Sequence, residues 1–356
     1  MNDPRDGQDE GINVLILADP GLCARRAEAA RELFEEELTQ VYGNATVTVQ
    51  TQFLGISDHN TIDMGSVDAV REDFEPIDVA LMLTEMPRRS EGRPLIAELH
   101  PEKSAATLSY PTIGLFAPRQ RLVNAFMACV LRLTAGGTEE DRDRVAASWN
   151  QWSEPSEGPP RLRSRAVTGA VRTVTGMVAT NAPWRAFPKL SSALAAASGA
   201  GAFGIFYNSI WTMSAALSPV RLLLIGLLAI ILMTGWLIFR NSLWERPSTK
   251  DRTMVLLYYN LSTVLTIFLC VLGLYLSLVV LILCASLVII SPDFMATILQ
   301  EPAKFARYVD IAWLSAAMGV VAGGLGSGFD DETDLEQLTH SRREQLRRLS
   351  REDEEH

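Results

Sequence analysis

Apolar positions are spaced in two different ways along this chain, and the change of spacing divides it. As far as about residue 138 they form short runs of strand length or stripes at helical spacing. From about Ser192 they form uncharged runs long enough to cross a bilayer. In the first region Ile12–Ala18 is a nearly continuous apolar run, the pattern of a strand buried on both faces. Asp19 and Pro20 follow, an N-cap type and a first-turn type. A helix is predicted from there, with Leu22, Ala27, Ala30, Leu33, Phe34, Leu38 and Val41 on its buried stripe and Gly43 at its end. Residues 46–56 alternate as a second strand, 60–74 suit a short helix, and 78–84 (DVALMLT) form a third, doubly buried strand. Strands are also expected over 94–99 and over 107–116, the latter broken by Pro111, before an amphipathic helix over Arg119–Leu133 that closes at Gly136-Gly137. This alternation predicts a compact α/β layer over 1–138, Rossmann-like or flavodoxin-like.

Residues 139–190 are charged and proline-rich at first (EEDRDR, SEPSEGPPRLRSR). They predict a linker followed, within RAVTGAVRTVTGMVATNAPWRAFPK, by a helix with Val167, Val171, Val174, Met177 and Val178 along one side that lies on the headgroup layer or packs on the α/β domain. Trp184 is an interfacial anchor type. Beyond it a transmembrane domain over 191–329 is expected to be all-α, with about four spans at 192–217, 220–239, 258–290 and 311–328. The long third run is better one tilted helix than two, because only a lone Gly273 offers a turn. Arg161, Arg163, Arg165, Arg185 and Lys189 precede the first span, and Arg240, Arg246, Lys250 and Arg252 follow the second. By the positive-inside rule both stretches are cytoplasmic, as is the charged tail 330–356, in a multi-pass plasma-membrane protein.

Composition changes this picture little. The net charge of −10 speaks against a nucleic-acid partner, which needs a basic face for phosphates. Four scattered cysteines and four histidines show no metal-ligand or disulfide spacing, so neither a metal nor a cofactor is expected. No GxGxxG follows the first strand, no GxxxxGK[ST], GxSxG or HExxH occurs, and the chain is not expected to be an enzyme.

Ligands of α/β sheets sit at the carboxyl ends of the strands. The candidates there are Asp19, Thr84 and Glu85 with Arg88, Arg89 and Arg93, a set suited to a small anionic ligand. In the last span Ser315, Gly319 and Gly323 make a small-residue face for helix packing, within one chain or between copies. The expected role is therefore a ligand- or partner-binding cytoplasmic module tethered to a membrane bundle, self-associating or docking on an envelope protein. The alternatives are a small oligomeric transporter or channel gated by the soluble domain, and a membrane-bound enzyme using the strand-end loops.

The stretches INVLILADPGL, DVALMLTEMPRRSEGRPLIAEL, NAPWRAFP and WLSAAMGVVAGGLGSG resemble a family of actinobacterial multi-spanning membrane proteins with an N-terminal α/β (Rossmann-like) cytoplasmic domain. The resemblance implies architecture and carries no activity. The glycine-rich segment and the YxxxK pattern of methylene-tetrahydrofolate dehydrogenases are missing.

Overall fold

The computed structural model describes residues 11–55, 76–115, 117–145, 150–155, 158–183, 191–245 and 253–326. The polar amino-terminal ten residues, the helix expected over 60–74, Trp184, the basic residues Arg246, Lys250 and Arg252, and the tail 330–356 lie outside them. The described residues fall into two compact units. One takes the chain as far as Asn181 together with the first turns of a later helix, up to Ser262; the other takes Ala182–Glu245 and the chain beyond Ser262.

The first unit is a mixed α/β sheet of eight strands, ordered β2-β1-β3-β6-β5-β8-β7 with β4 paired to β5. Its strands are β1 (Ile12–Ala18), β2 (Ala45–Thr51), β3 (Val79–Thr84), β4 (Arg88–Ser90), β5 (Arg93–His100), β6 (Ala105–Ser109), β7 (Asn150–Ser153) and β8 (Arg161–Ser164). Pairing is parallel from β2 through β1 and β3 to β6, and antiparallel among β4, β5, β6, β8 and β7. Among the parallel strands alone the order is that of the flavodoxin-like sheets. The run INVLILA is buried on both faces because each face has its own core. Val14, Ile16 and Ala18 pack with Phe34 and Leu38 of α1 (Leu22–Tyr42) and with Phe126 of α3 (Arg119–Leu133). The Phe34 and Phe126 rings lie 5.2 Å apart between centroids. Leu15 and Leu17 pack on the other side with Leu54, Ala80 and Met82. Burying one such large side chain stabilises the fold by about 1.5–3 kcal/mol.

Several expectations change. The last parallel strand stops at Ser109 instead of running to residue 116. Pro111 has no N–H for a ladder and sits in a short helix, α2 (Tyr110–Ile113). The second strand ends at Thr51. The stretch expected to be a linker holds α4 (Glu139–Val145) and supplies β7 and β8, since Leu162 enters the core while Arg161 and Arg163 on either side find carboxylates. The helix after it, α5 (Ala166–Asn181), buries Val174 and Met177 within this same unit, against Tyr258 and Tyr259, and leaves Val167 and Val171 exposed.

The second unit is helical: α6 (Ser191–Gly201), α7 (Phe203–Phe206), α8 (Asn208–Ala216), α9 (Pro219–Arg240), most of α10 (Thr253–Ile289), α11 (Pro292–Leu299) and α12 (Phe305–Gly326). Three of its helices, Pro219–Arg240, Val255–Ile289 and Phe305–Gly323, are long and apolar enough to cross a membrane. On α9 one stripe, Leu222, Ala229, Ile230, Met233 and Leu237, is buried. The opposite stripe, Val220, Leu223, Leu224, Leu227, Leu228, Ile231 and Leu232, is exposed and equally apolar. A helix apolar all round belongs in lipid, and length and apolarity together mark the chain as a membrane protein.

The 37 residues of α10 form one uninterrupted helix. The first expected span does not: Ala193–Phe206 and Asn208–Ala216 meet at an 83° bend. Tyr207 is extended there, and the Trp211 indole donates to the Gly204 carbonyl across the break at 2.9 Å. The last helix starts earlier than the span expected at 311–328, since Phe305 to Asp310 already belongs to α12.

Candidate functional site

Registers align the carboxyl ends of β1, β3 and β6, with Ala18 opposite Leu83 and Thr84 opposite Ser109. Because β1 is followed in space by β2 on one side and β3 on the other, the crevice between β1 and β3 is the topological switch point, where such sheets bind ligands. Here the protein's own side chains occupy it. Asp19, fully buried, accepts from the Thr84 hydroxyl (2.7 Å) and the Glu85 amide (2.9 Å) with one oxygen, and from the Leu54 amide (3.1 Å) with the other. It is not the helix N-cap: Gly21 holds that position, and no side chain caps α1. The Thr84 hydroxyl also accepts from the Met86 amide at 3.1 Å, and the Met86 carbonyl accepts from Ser109 at 2.7 Å. Asp19 thus fastens the ends of three strands.

The chain then turns into the β4–β5 hairpin. Ser90 pairs with Arg93, so Glu91 and Gly92 form a two-residue turn, with φ of 49° and 77°. Two positive φ values are the type I′ turn that suits strand twist. Glu91 tolerates it while its carboxylate is gripped by both terminal nitrogens of Arg163, at 2.6 and 2.7 Å. That hydrogen bonding holds the Glu91 carboxyl below its usual range.

Beside the hairpin is a cleft of about 410 Å3, within the first unit, whose charged lining is Arg88, Arg89, Glu91, Glu98 and Arg161 and whose far wall is Val255 and Tyr259 at the start of α10. Glu98, directly opposite Arg161 in the β5–β8 register, receives Arg161 Nε at 2.8 Å and also Arg88 Nη2. Burial alone would raise its pKa, but the two guanidinium groups outweigh burial and hold the carboxyl below the ordinary value. Arg88 Nη1 is buried and has no acceptor among the described residues. Arg89 donates to the Tyr258 hydroxyl at 2.7 Å, lies over that ring at 4.9 Å, and also meets the Gly92 carbonyl. Three guanidinium groups therefore face one carboxylate, while the charge of Glu91 is matched by Arg163. The cleft is locally cationic in a chain of net charge −10.

The six residues suggested by sequence do not form one site. Asp19, Thr84 and Glu85 close the strand ends, Arg88 and Arg89 line the cleft, and Arg93 lines a separate groove of about 380 Å3 with Gln151, Trp152 and Arg163. Glu98, Arg161 and Tyr259 complete the cleft and were not signalled together. The traces were a lone carboxylate inside the apolar run PLIAEL and arginines at alternate positions in RLR. His100 ends β5, where burial lowers its pKa and Glu98 partly opposes this. Burial raises the Cys129 thiol, which suits a core residue. No cluster of three or more metal-ligating side chains occurs among the described residues.

In the helical unit the small-residue face is turned to a helix of the same chain. A Cβ added at Gly319 would lie 2.6 Å from the Ala197 carbonyl, and one at Gly323 would lie 2.6 Å from the Ala197 Cα. Ser315 stands against Gly204 in the same way, and its hydroxyl donates to the Ile311 carbonyl at 2.6 Å. Comparison of the chain with protein-family models, curated proteins and solved structures gives no match.

Proposed function

We propose that this chain is a membrane-anchored binding module whose α/β unit takes a small anionic ligand in the Arg88–Arg89–Arg161 cleft. The observation that carries this reading is the local excess of guanidinium groups over carboxylates around an open cavity. The cavity falls in the size range of small-molecule sites. Its polar lining holds no nucleophile paired with a base, which favours binding over catalysis. We further propose that the module is cytoplasmic and that the chain crosses the plasma membrane four times. The start of α10 belongs to the same unit as the sheet, through the Arg89–Tyr258 contact and the packing of Tyr258 on α5. A chain that leaves this unit at Asn181 and rejoins it at α10 makes an even number of crossings in between. With α9 as one, the bent α6–α8 segment is the other, a broken span. The arginines before residue 190 and between 240 and 252 favour the cytoplasmic side for both ends of the excursion. Self-association or an envelope-protein partner belongs to the same reading.

Thermal unfolding of the full-length protein in neutral detergent tests the binding reading, with inorganic phosphate, glycerol 3-phosphate, citrate and succinate as probes. A ligand that binds only the folded state adds about 2.7 kcal/mol at a hundred times Kd. The expected result is a raised midpoint with at least one anion, reduced in Arg161→Gln. A flat response to all four probes rejects the cleft as a small-anion site.

A further inference from the structure

Resting on the proposed anion-binding reading, we infer that the ligand of the cleft is a phosphomonoester, bound by Arg88, Arg89 and Arg161. The argument begins with charge and donor geometry. After Glu98 has neutralised one guanidinium group, two positive charges remain around the cavity, matching the −1.5 to −2 of a phosphomonoester. A carboxylate offers two oxygens on one plane; a phosphomonoester offers three strong acceptors to guanidinium groups converging from β4 and β8. Arg88 is already fixed by Glu98 through Nη2, and its other amino nitrogen is buried without an acceptor among the described residues. Leaving such a donor buried and unsatisfied costs free energy that an anionic oxygen recovers.

The lining supplies the second part. The cleft wall of Val255 and Tyr259 is the beginning of a helix that continues as the candidate span Val255–Ile289. Tyrosine rings and arginines are favoured at membrane interfaces, and Arg89 is engaged with such a ring at Tyr258. Phosphate reaches such a cleft either on a lipid or on a soluble ester.

The test uses native mass spectrometry of the full-length protein released from dodecyl maltoside. The probes are phosphatidic acid, phosphatidylglycerol and phosphatidylcholine, with glycerol 3-phosphate and citrate as soluble competitors. The expected result is one phosphatidic acid per chain, retained over the diesters phosphatidylglycerol and phosphatidylcholine. Retention should weaken about tenfold or more in Arg89→Gln, the scale of one lost charge-assisted contact. A second variant, Arg89→Lys, keeps the charge and should restore most of the retention, which separates lost binding from lost folding. Failure of millimolar glycerol 3-phosphate to compete assigns the phosphate to a lipid; competition assigns it to a soluble ester, and either supports the inference. Retention that is equal in wild type and both variants overturns it, as does absence of binding to every phosphate probe. Binding of citrate without any phosphate compound also overturns it, while leaving the anion-binding module in place.

Discussion

Asp19 shows how one side chain can be placed by a requirement that its neighbours in sequence do not reveal. A carboxylate between a strand end and a helix start is what an N-cap looks like, and the sequence offers no other partner nearby. The structure turns it across the sheet to donors 35 to 66 positions away. Asp19→Ala removes the acceptor of two buried amides and a buried hydroxyl. With a penalty of about 1–3 kcal/mol for each unsatisfied buried group, the expected loss is several kcal/mol. It is read as a lowered unfolding midpoint of the full-length protein in detergent. The anion response should survive in whatever fraction still folds, because the cleft does not include Asp19. A midpoint that stays put would mean that the strand ends are fastened by something else. The same limit hid the cleft. Arg88 and Arg89 were visible as an arginine pair, but Glu98 lies within an apolar strand and Arg161 comes 63 positions later, so only the β5–β8 register brings them together.

At the scale of elements, the legible parts were those with strong periodicity. The strand Ile12–Ala18, the helix Arg119–Leu133 and the long apolar runs follow directly from hydrophobic spacing. β7 and β8 did not, because each is four residues long and mostly polar, and edge-side strands of that kind carry almost no period. The hairpin turn was hidden for a different reason: Glu91 adopts a left-handed conformation more common for Asn or Gly, and Arg163 supplies the compensation. In the helical unit, the spacing of Gly319 and Gly323 announced close packing without saying against what. The contact with Ala197 yields a prediction that separates the two possibilities. Gly319→Leu places a large side chain against the Ala197 carbonyl and Leu278. Overpacking of this kind costs about 1–3 kcal/mol, so the unfolding midpoint should fall while the oligomeric state, measured by light scattering, stays as in wild type. A variant that unfolds normally but changes its association number would place the glycine face between chains.

At the scale of the whole molecule, the proposed four-crossing arrangement predicts which loops would meet the outside. Cysteines placed at Ser218 and Lys304, in a Cys284→Ser background, should react with a membrane-impermeant maleimide in intact cells. One placed at Asp143 should react only after permeabilisation. Protection of the Ser218 position would mean that the bent α6–α8 segment does not cross, and would remove the broken span. The bend itself was not legible: 192–217 has the composition of an ordinary small-residue helix, and nothing in the run marks Tyr207 as extended.

The sheet unit is discontinuous in sequence, and this has a consequence for how the protein is made. Its strands are all synthesised before Asn181, but the wall of the cleft formed by Val255 and Tyr259 arrives only after α9. Chains emerge amino terminus first and domains fold as units, so the sheet can form while its cleft is still a wall short. In the proposed topology, completion waits until the first two spans have been inserted and the chain has come back to the sheet. Binding at this cleft would then be a property acquired on membrane integration, and a soluble fragment ending at Asn181 would carry the fold without the finished site.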